Sequence, residues 1–135
     1  MFFRISNKCH DGLLFLGKLA SRWESGELLS VEEGARAAAS AGYLEQIITP
    51  LRTAGLVEAK RGPGGGYRLT RHPKETTVRD AVEALEGKIS LVDCQGSGCD
   101  RVQSCGSEHL WNTLQQRIGE TLGNLTLADI AERGE

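Results

Sequence analysis

The segment from Cys94 to His109, CQGSGCDRVQSCGSEH, holds three of the chain's four cysteines beside Glu108 and His109. Thiolate, carboxylate and imidazole are all metal-ligating groups, so this density points to a metal site or to thiol redox chemistry. Four residues separate Cys94 from Cys99 and five separate Cys99 from Cys105. With glycine and serine between them, such thiolates can wrap an iron-sulfur cluster, because small residues let backbone amides turn toward the sulfurs. Zinc is the rival ion. Structural zinc sites more often carry a close Cys-x-x-Cys knuckle, which is missing here, and a bare thiol sensor needs only one or two cysteines. Cys9, far from the other three, reads as a small buried residue.

Catalysis finds little support in the residues. There is no paired nucleophile and base and no nucleotide-binding loop, and His10, His72 and His109 are widely spaced. A non-catalytic alternative is an electron-transfer protein whose remaining elements form a protein-binding scaffold. The N-terminal apolar run is too short to span a bilayer, is broken by Lys18 and lacks a small-residue cleavage site. A cytoplasmic, reducing location follows as the expectation, with no membrane partner, and it favours metal ligation over a disulfide framework.

The elements that must position the cysteines also suggest a polyanionic partner. The net charge of −2 hides an uneven distribution: residues 36 to 80 carry eight basic and four acidic side chains, a local +4, while the remainder carries −6. A basic middle within an acidic whole fits a DNA-binding module, although a solvated charged face would look the same.

Leu13, Leu14, Leu16, Leu19 and Ala20 recur at helical spacing between Lys8 and Trp23, predicting a first scaffold helix. Ser30 followed by Glu33 has capping-box spacing and predicts a short second helix from Val31 to Ala38, with a tight turn near Ala39. Ser40 can cap a third helix bearing Tyr43, Leu44, Ile47, Ile48 and Leu51; Pro50 should bend it or end it early, before Gly55 stops it. Residues 56–60 and 66–70 favour β-structure around the tip Arg61-Gly62-Pro63-Gly64-Gly65, so a hairpin follows the two helices. Thr77 and Asp80 open a further helix that Gly87 closes. From about Ser107, Leu110, Trp111, Leu114, Ile118, Leu122 and Leu125 trace one apolar stripe, longer than so small a domain needs for its own core. Its expected destination is a helix of a second copy, and Thr126 with Asp129 caps a last short helix.

The fold class is therefore mainly α with a small β-hairpin wing: a winged helix-turn-helix over residues 1–80, then a ligand segment near 94–109 and a long dimerisation helix within 81–135. In a helix-turn-helix the start of the second helix enters the major groove of double-stranded DNA, which places Ser40, Tyr43, Glu45 and Gln46 at the bases. The Gln46 amide can donate to and accept from adenine, whereas Glu45 is repelled by phosphates unless it accepts from a cytosine amino group. Arg61 at the wing tip can follow the minor groove or a phosphate, with Gly62, Gly64, Gly65 and Gly66 allowing close approach. Tyr67 should anchor the hairpin beside that DNA-binding tip. The competing reading is that the glycines only make a turn and the tyrosines only pack.

The run YLEQIITPLRTAGLVEAKRGPGGGYRLT, followed by CQGSGC, a third cysteine and LWNTLQQRIGETLGNLTLADI, resembles the IscR-type bacterial regulators. These are iron-sulfur winged-helix proteins that act as homodimers, within a wider family that includes nitric-oxide-sensing and cysteine-metabolism repressors. The resemblance covers nearly the whole chain. It implies control of cluster assembly or stress genes by an operator-binding dimer, and it implies a role for the glutamate at position 45 in choosing between two kinds of operator. It also implies an iron-sulfur cofactor on Cys94, Cys99 and Cys105, with [2Fe-2S] ahead of [4Fe-4S]. A cluster-free or thiol-redox repressor is the remaining alternative.

The fourth ligand departs from the pattern that the resemblance implies, a cysteine, two residues and a histidine. Here Gly106, Ser107 and Glu108 separate Cys105 from His109. Counting back from Leu110-Trp111 puts Glu108 in the histidine slot, and at about 100° per residue Glu108 flanks the apolar stripe while His109 points away from it. Imidazole nevertheless suits iron better than a carboxylate does. The family also contains a carboxylate ligand from the partner's first helix, and His10 occupies the matching position. Glu108 is the first choice, with His109 and His10 as alternatives.

Overall fold

The computed structural model describes residues 4–38, 40–91 and 108–131. Helix α1 (Asn7–Ser21) starts where the Ser6 side chain accepts from the Cys9 amide at 3.1 Å. Its core arc is Cys9, Gly12, Phe15, Leu16, Leu19 and Ala20, all buried. Leu14, placed on that stripe by its spacing, is instead 47% exposed: it lies opposite the arc, and Phe15 fills the core.

Helix α2 (Val31–Ala37) opens with the expected capping box, the Ser30 hydroxyl accepting from the Glu33 amide and the Glu33 carboxylate accepting from the Ser30 amide. Glu33 also takes a bidentate pair of bonds from Arg22, at 2.7 and 3.3 Å, which ties α2 to the end of α1. Arg22 first, with help from Ser30, holds the Glu33 carboxyl down at about 2.

Helix α3 (Ala41–Thr53) runs on through Pro50, contrary to the expected bend or early stop. Proline lacks the amide that would bond to Gln46, but it sits in the helix's last turn, and the end beyond it is firmly closed. The amides of Gly55 and Leu56 bond to the carbonyls of Arg52 and Leu51, both at 2.9 Å, with Gly55 at φ +78°. This is a Schellman closure, and its apolar partners Leu51 and Leu56 are both buried.

Strands β1 (Val57–Lys60) and β2 (Gly66–Leu69) pair antiparallel, with Val57 opposite Leu69 and Lys60 opposite Gly66. The hairpin is pinned to the segment before α2, because Leu29 and Tyr67 exchange amide bonds at 3.0 and 2.8 Å. Buried Tyr67 also sets its ring edge-on against Phe15, 6.0 Å between centroids. After a short 3-10 turn at Pro73–Glu75, α4 (Val78–Glu86) begins at the Thr77–Asp80 capping box and ends at Gly87.

Helix α5 (Glu108–Gly123) buries only Gly119, over which the Arg79 guanidinium of α4 lies, 3.2 to 3.5 Å from where a Cβ would stand. Leu110, of the apolar stripe, is 57% exposed. Leu125 does not belong to α5. It lies in a short crossing where its carbonyl accepts from Val78 at 2.8 Å and the Leu127 amide donates to Thr76 at 3.0 Å. Helix α6 (Leu127–Ala131) then returns to α1, with Leu127 fully buried and Ile130 seated on Gly17. Helices α4 and α6 thus share one core with α1, α3 and the hairpin.

Candidate nucleic-acid interface and ligand segment

Helix α3 turns Leu44, Ile47, Ile48 and Leu51 into the core. At about 100° per residue, the opposite arc must then carry Gly42, Glu45, Gln46, Thr49, Arg52 and Thr53, and all six are exposed. Ser40 caps the helix, its hydroxyl accepting from the Tyr43 amide at 3.1 Å. Tyr43 turns back toward α1, where its hydroxyl donates to Asp11 Oδ2 at 2.8 Å. This bond, with smaller contributions from burial and the Asp11 charge, raises the pKa of the phenol. A base contact by Tyr43 competes with that bond, whereas Glu45 and Gln46 carry no such tie.

Arg61 is exposed at the wing tip. Gly62 and Gly64 have φ of +94° and +75° with open space beside them, so a nucleic-acid backbone can come close there. Gly65 serves the hairpin itself: its amide donates to Gly62 at 2.9 Å, and a Cβ would stand 2.2 Å from the Lys60 carbonyl. Tyr67 is the wing's anchor. Burial and then the Glu45 charge push its phenol pKa up, while the Arg52 charge pulls it down.

Cys94, Cys99 and Cys105 lie outside the described residues. On the near side of that segment, the Leu91 amide donates to Gln115 of α5 at 3.4 Å. On the far side, Glu108 is the first residue of α5 and is half-buried, whereas His109 and His10 are exposed. Glu108 shares its helical phase with Gly119, the residue α4 covers. Among the described residues no three histidine, cysteine or acidic side chains form a metal cluster. Cys9 is fully buried, and burial ahead of the Glu86 charge raises its pKa, so it stays a thiol.

Sequence reasoning missed the Asp11–Tyr43 and Arg22–Glu33 ties. The first joins α1 to α3 and the second joins the C-cap of α1 to α2, and spacing along one helix carries no signal for either. Among the described residues no helix is long and apolar enough to cross a membrane.

Residues 5–133 match a family profile, Rrf2, described as an iron-dependent transcriptional regulator. The chain is 32% identical over 133 residues to the HTH-type transcriptional regulator IscR of Cronobacter sakazakii, covering 98% of this chain and 82% of that one. Among solved structures it is similar to CymR, the global cysteine regulator of B. subtilis, with a TM-score of 0.79, 34% identity and 98% of each chain covered. It is also similar to IscR of T. potens, with a TM-score of 0.75, 32% identity, and 98% and 89% covered.

Proposed function

The chain belongs to the Rrf2 family and is a DNA-binding transcription regulator with a winged helix; from that premise we propose that an iron-sulfur cluster on Cys94, Cys99 and Cys105 controls its hold on an operator. The protein acts in the cytoplasm as a homodimer and is not an enzyme. The observation that carries the reading is the donor set: three soft thiolates in one small-residue segment that ends at a helix start.

That donor set fits the group. The three thiolates would hold it, with Glu108 as fourth ligand ahead of His109 and His10, and [2Fe-2S] ahead of [4Fe-4S]. When bound, the cluster supplies a link among these side chains that is sensitive to iron supply, oxygen or nitric oxide. The dipole of α5 would favour the negative charge of thiolates held at its N-terminal end.

Residues 1–80 would read DNA and residues 81–135 would sense. Gathering the thiolates fixes the chain between Leu91 and Glu108, and so fixes how α5 rests on α4 through Gly119 and Arg79. Helix α4 follows the wing after a single 3-10 turn. A change in the seat of α5 therefore shifts the populations of two wing spacings in the dimer. The stripe of exposed Leu110 with half-buried Trp111 and Leu114 supports pairing with a second copy, since α5 buries only Gly119 in this chain's core. Glu45, Gln46 and Arg61 would then meet two half-sites of a roughly palindromic duplex.

Likeness to CymR favours a second reading, a cluster-free regulator acting through thiols. Anaerobic purification of the alanine variants separates the two. Cys94→Ala, Cys99→Ala and Cys105→Ala should each lose iron and visible colour while Cys9→Ala keeps both; a colourless unaltered protein, or colour lost only in Cys9→Ala, overturns the proposal. Glu108→Ala should change iron content or spectrum more than His109→Ala or His10→Ala, and the reverse order overturns the fourth-ligand choice.

A further inference from the structure

The wing and the helix pair enclose a cleft of about 480 Å³, bordered by Arg52 of α3, Lys60 and Arg61 of the wing, and Glu32 of α2, with Tyr67 among its lining. Three cations therefore face one carboxylate. Arg22, Arg68 and Arg79 each spend their charge on a carboxylate. Among the described residues Arg52, Lys60 and Arg61 make no such pair, and all three are exposed.

Position adds a second argument. Arg52 follows Glu45 by seven residues, so it shares the outward face of α3 about 10 Å further along the axis. Beside the cleft, Gly62 and Gly64 leave open space at the wing's backbone, where a sugar-phosphate strand can approach closely. A duplex set against Glu45 and Gln46 must carry one strand past this end of the helix.

We propose that Arg52 and Lys60, across the cleft between α3 and the wing, together seat one backbone phosphodiester of the bound duplex. The inference rests on the DNA-reading face described above and adds two contacts that face does not contain. A guanidinium fixed at the end of a helix binds phosphate oxygens in a fork, and the lysine adds a point charge from the opposite wall. The contact fixes register without reading sequence.

The test measures affinity against salt concentration, using the full chain and a duplex that the unaltered protein selects from a random pool. Arg52→Ala and Lys60→Ala should each weaken binding, Arg52→Ala by roughly tenfold at low salt. In the homodimer each substitution removes two such contacts, one per half-site, so each should also reduce the slope of log K against log salt by about two. Arg68→Ala, which removes the same charge from the wing but from a pair with Glu58, should keep the slope. Thermal melting of each variant separates lost contacts from lost folding. An unchanged slope in a folded Arg52→Ala protein overturns this inference alone, as does an equal loss in Arg68→Ala. If the unaltered protein binds no duplex at any salt concentration, the DNA-reading assignment falls and takes this inference with it.

Discussion

Gly66→Ala tests how the wing is held. A Cβ at this position would stand 2.4 Å from the Leu29 carbonyl oxygen, 2.8 Å from its carbon and 3.1 Å from Ser30 Cα. Carbon and oxygen without a strong bond approach to only about 3.3 Å, so a movement on the order of 1 Å is needed. All three neighbours are backbone atoms and cannot swing aside. The movement breaks the paired bonds between Leu29 and Tyr67, each contributing about 1 kcal/mol net. A loss of about 2 kcal/mol lowers the melting temperature by roughly 8 °C for a domain of this size. Operator affinity falls too, because the wing no longer stands beside α3. Gly42→Ala is the control in thermal melting: nothing lies within 4 Å of its added Cβ, so the same change in a helix should stabilise by about 0.5–1 kcal/mol. A Gly66→Ala protein melting at or above the unaltered one would refute the clash argument.

Three further outcomes follow from the same geometry. Glu33 is held at about 2 against an ordinary 4.5, so its contribution is present above pH 4.5 and lost as pH falls from there toward 2. Urea titrations across pH should show Glu33→Gln less stable than the unaltered protein at pH 7, with the gap closing below pH 4.5; a gap that widened on acidification would contradict the assignment. Leu127→Ala removes a fully buried side chain where α6 meets α1 and should destabilise by about 2–5 kcal/mol in urea unfolding, whereas a change under about 0.5 kcal/mol would mean that α6 is not docked there. Tyr43→Phe removes the bond to Asp11 and should lower stability by about 1 kcal/mol, and equal stability in thermal melts would show that the bond contributes nothing.

Much of the local structure is legible because it is encoded within a few residues. Ser30 with Glu33, Thr77 with Asp80, and Ser40 each state a helix start in their own spacing, and each is found there. Pro50 misled because a proline's effect depends on its distance from the helix end, and here the Gly55 closure completes the last turn beyond it. Leu125 fits the α5 period, yet its backbone crosses to Val78, a pairing of distant residues that no periodicity expresses. The outward face of α3 was legible through Glu45 and Gln46, whose exposure follows from the buried positions beside them. Arg52 has the same phase, but its value comes from the wing across the cleft, which appears only once β1 and β2 are in place. The three cysteines point by composition alone to a metal site or to thiol chemistry. In the proposed site the choice among Glu108, His109 and His10 would depend on how two chains meet, which no spacing within one sequence expresses.

In the proposed mechanism, cluster ligation by Cys94, Cys99 and Cys105 governs operator binding. The most direct measurement is the affinity of one anaerobic preparation for its selected duplex before and after the cluster is removed by chelation, with iron and sulfide assayed in both states. The expected result is iron and sulfide in the starting protein, a change in affinity or in the choice of duplex on their removal, and no such change in a Cys94→Ala, Cys99→Ala, Cys105→Ala triple variant. Identical affinity and identical duplex choice with and without the cluster would contradict it.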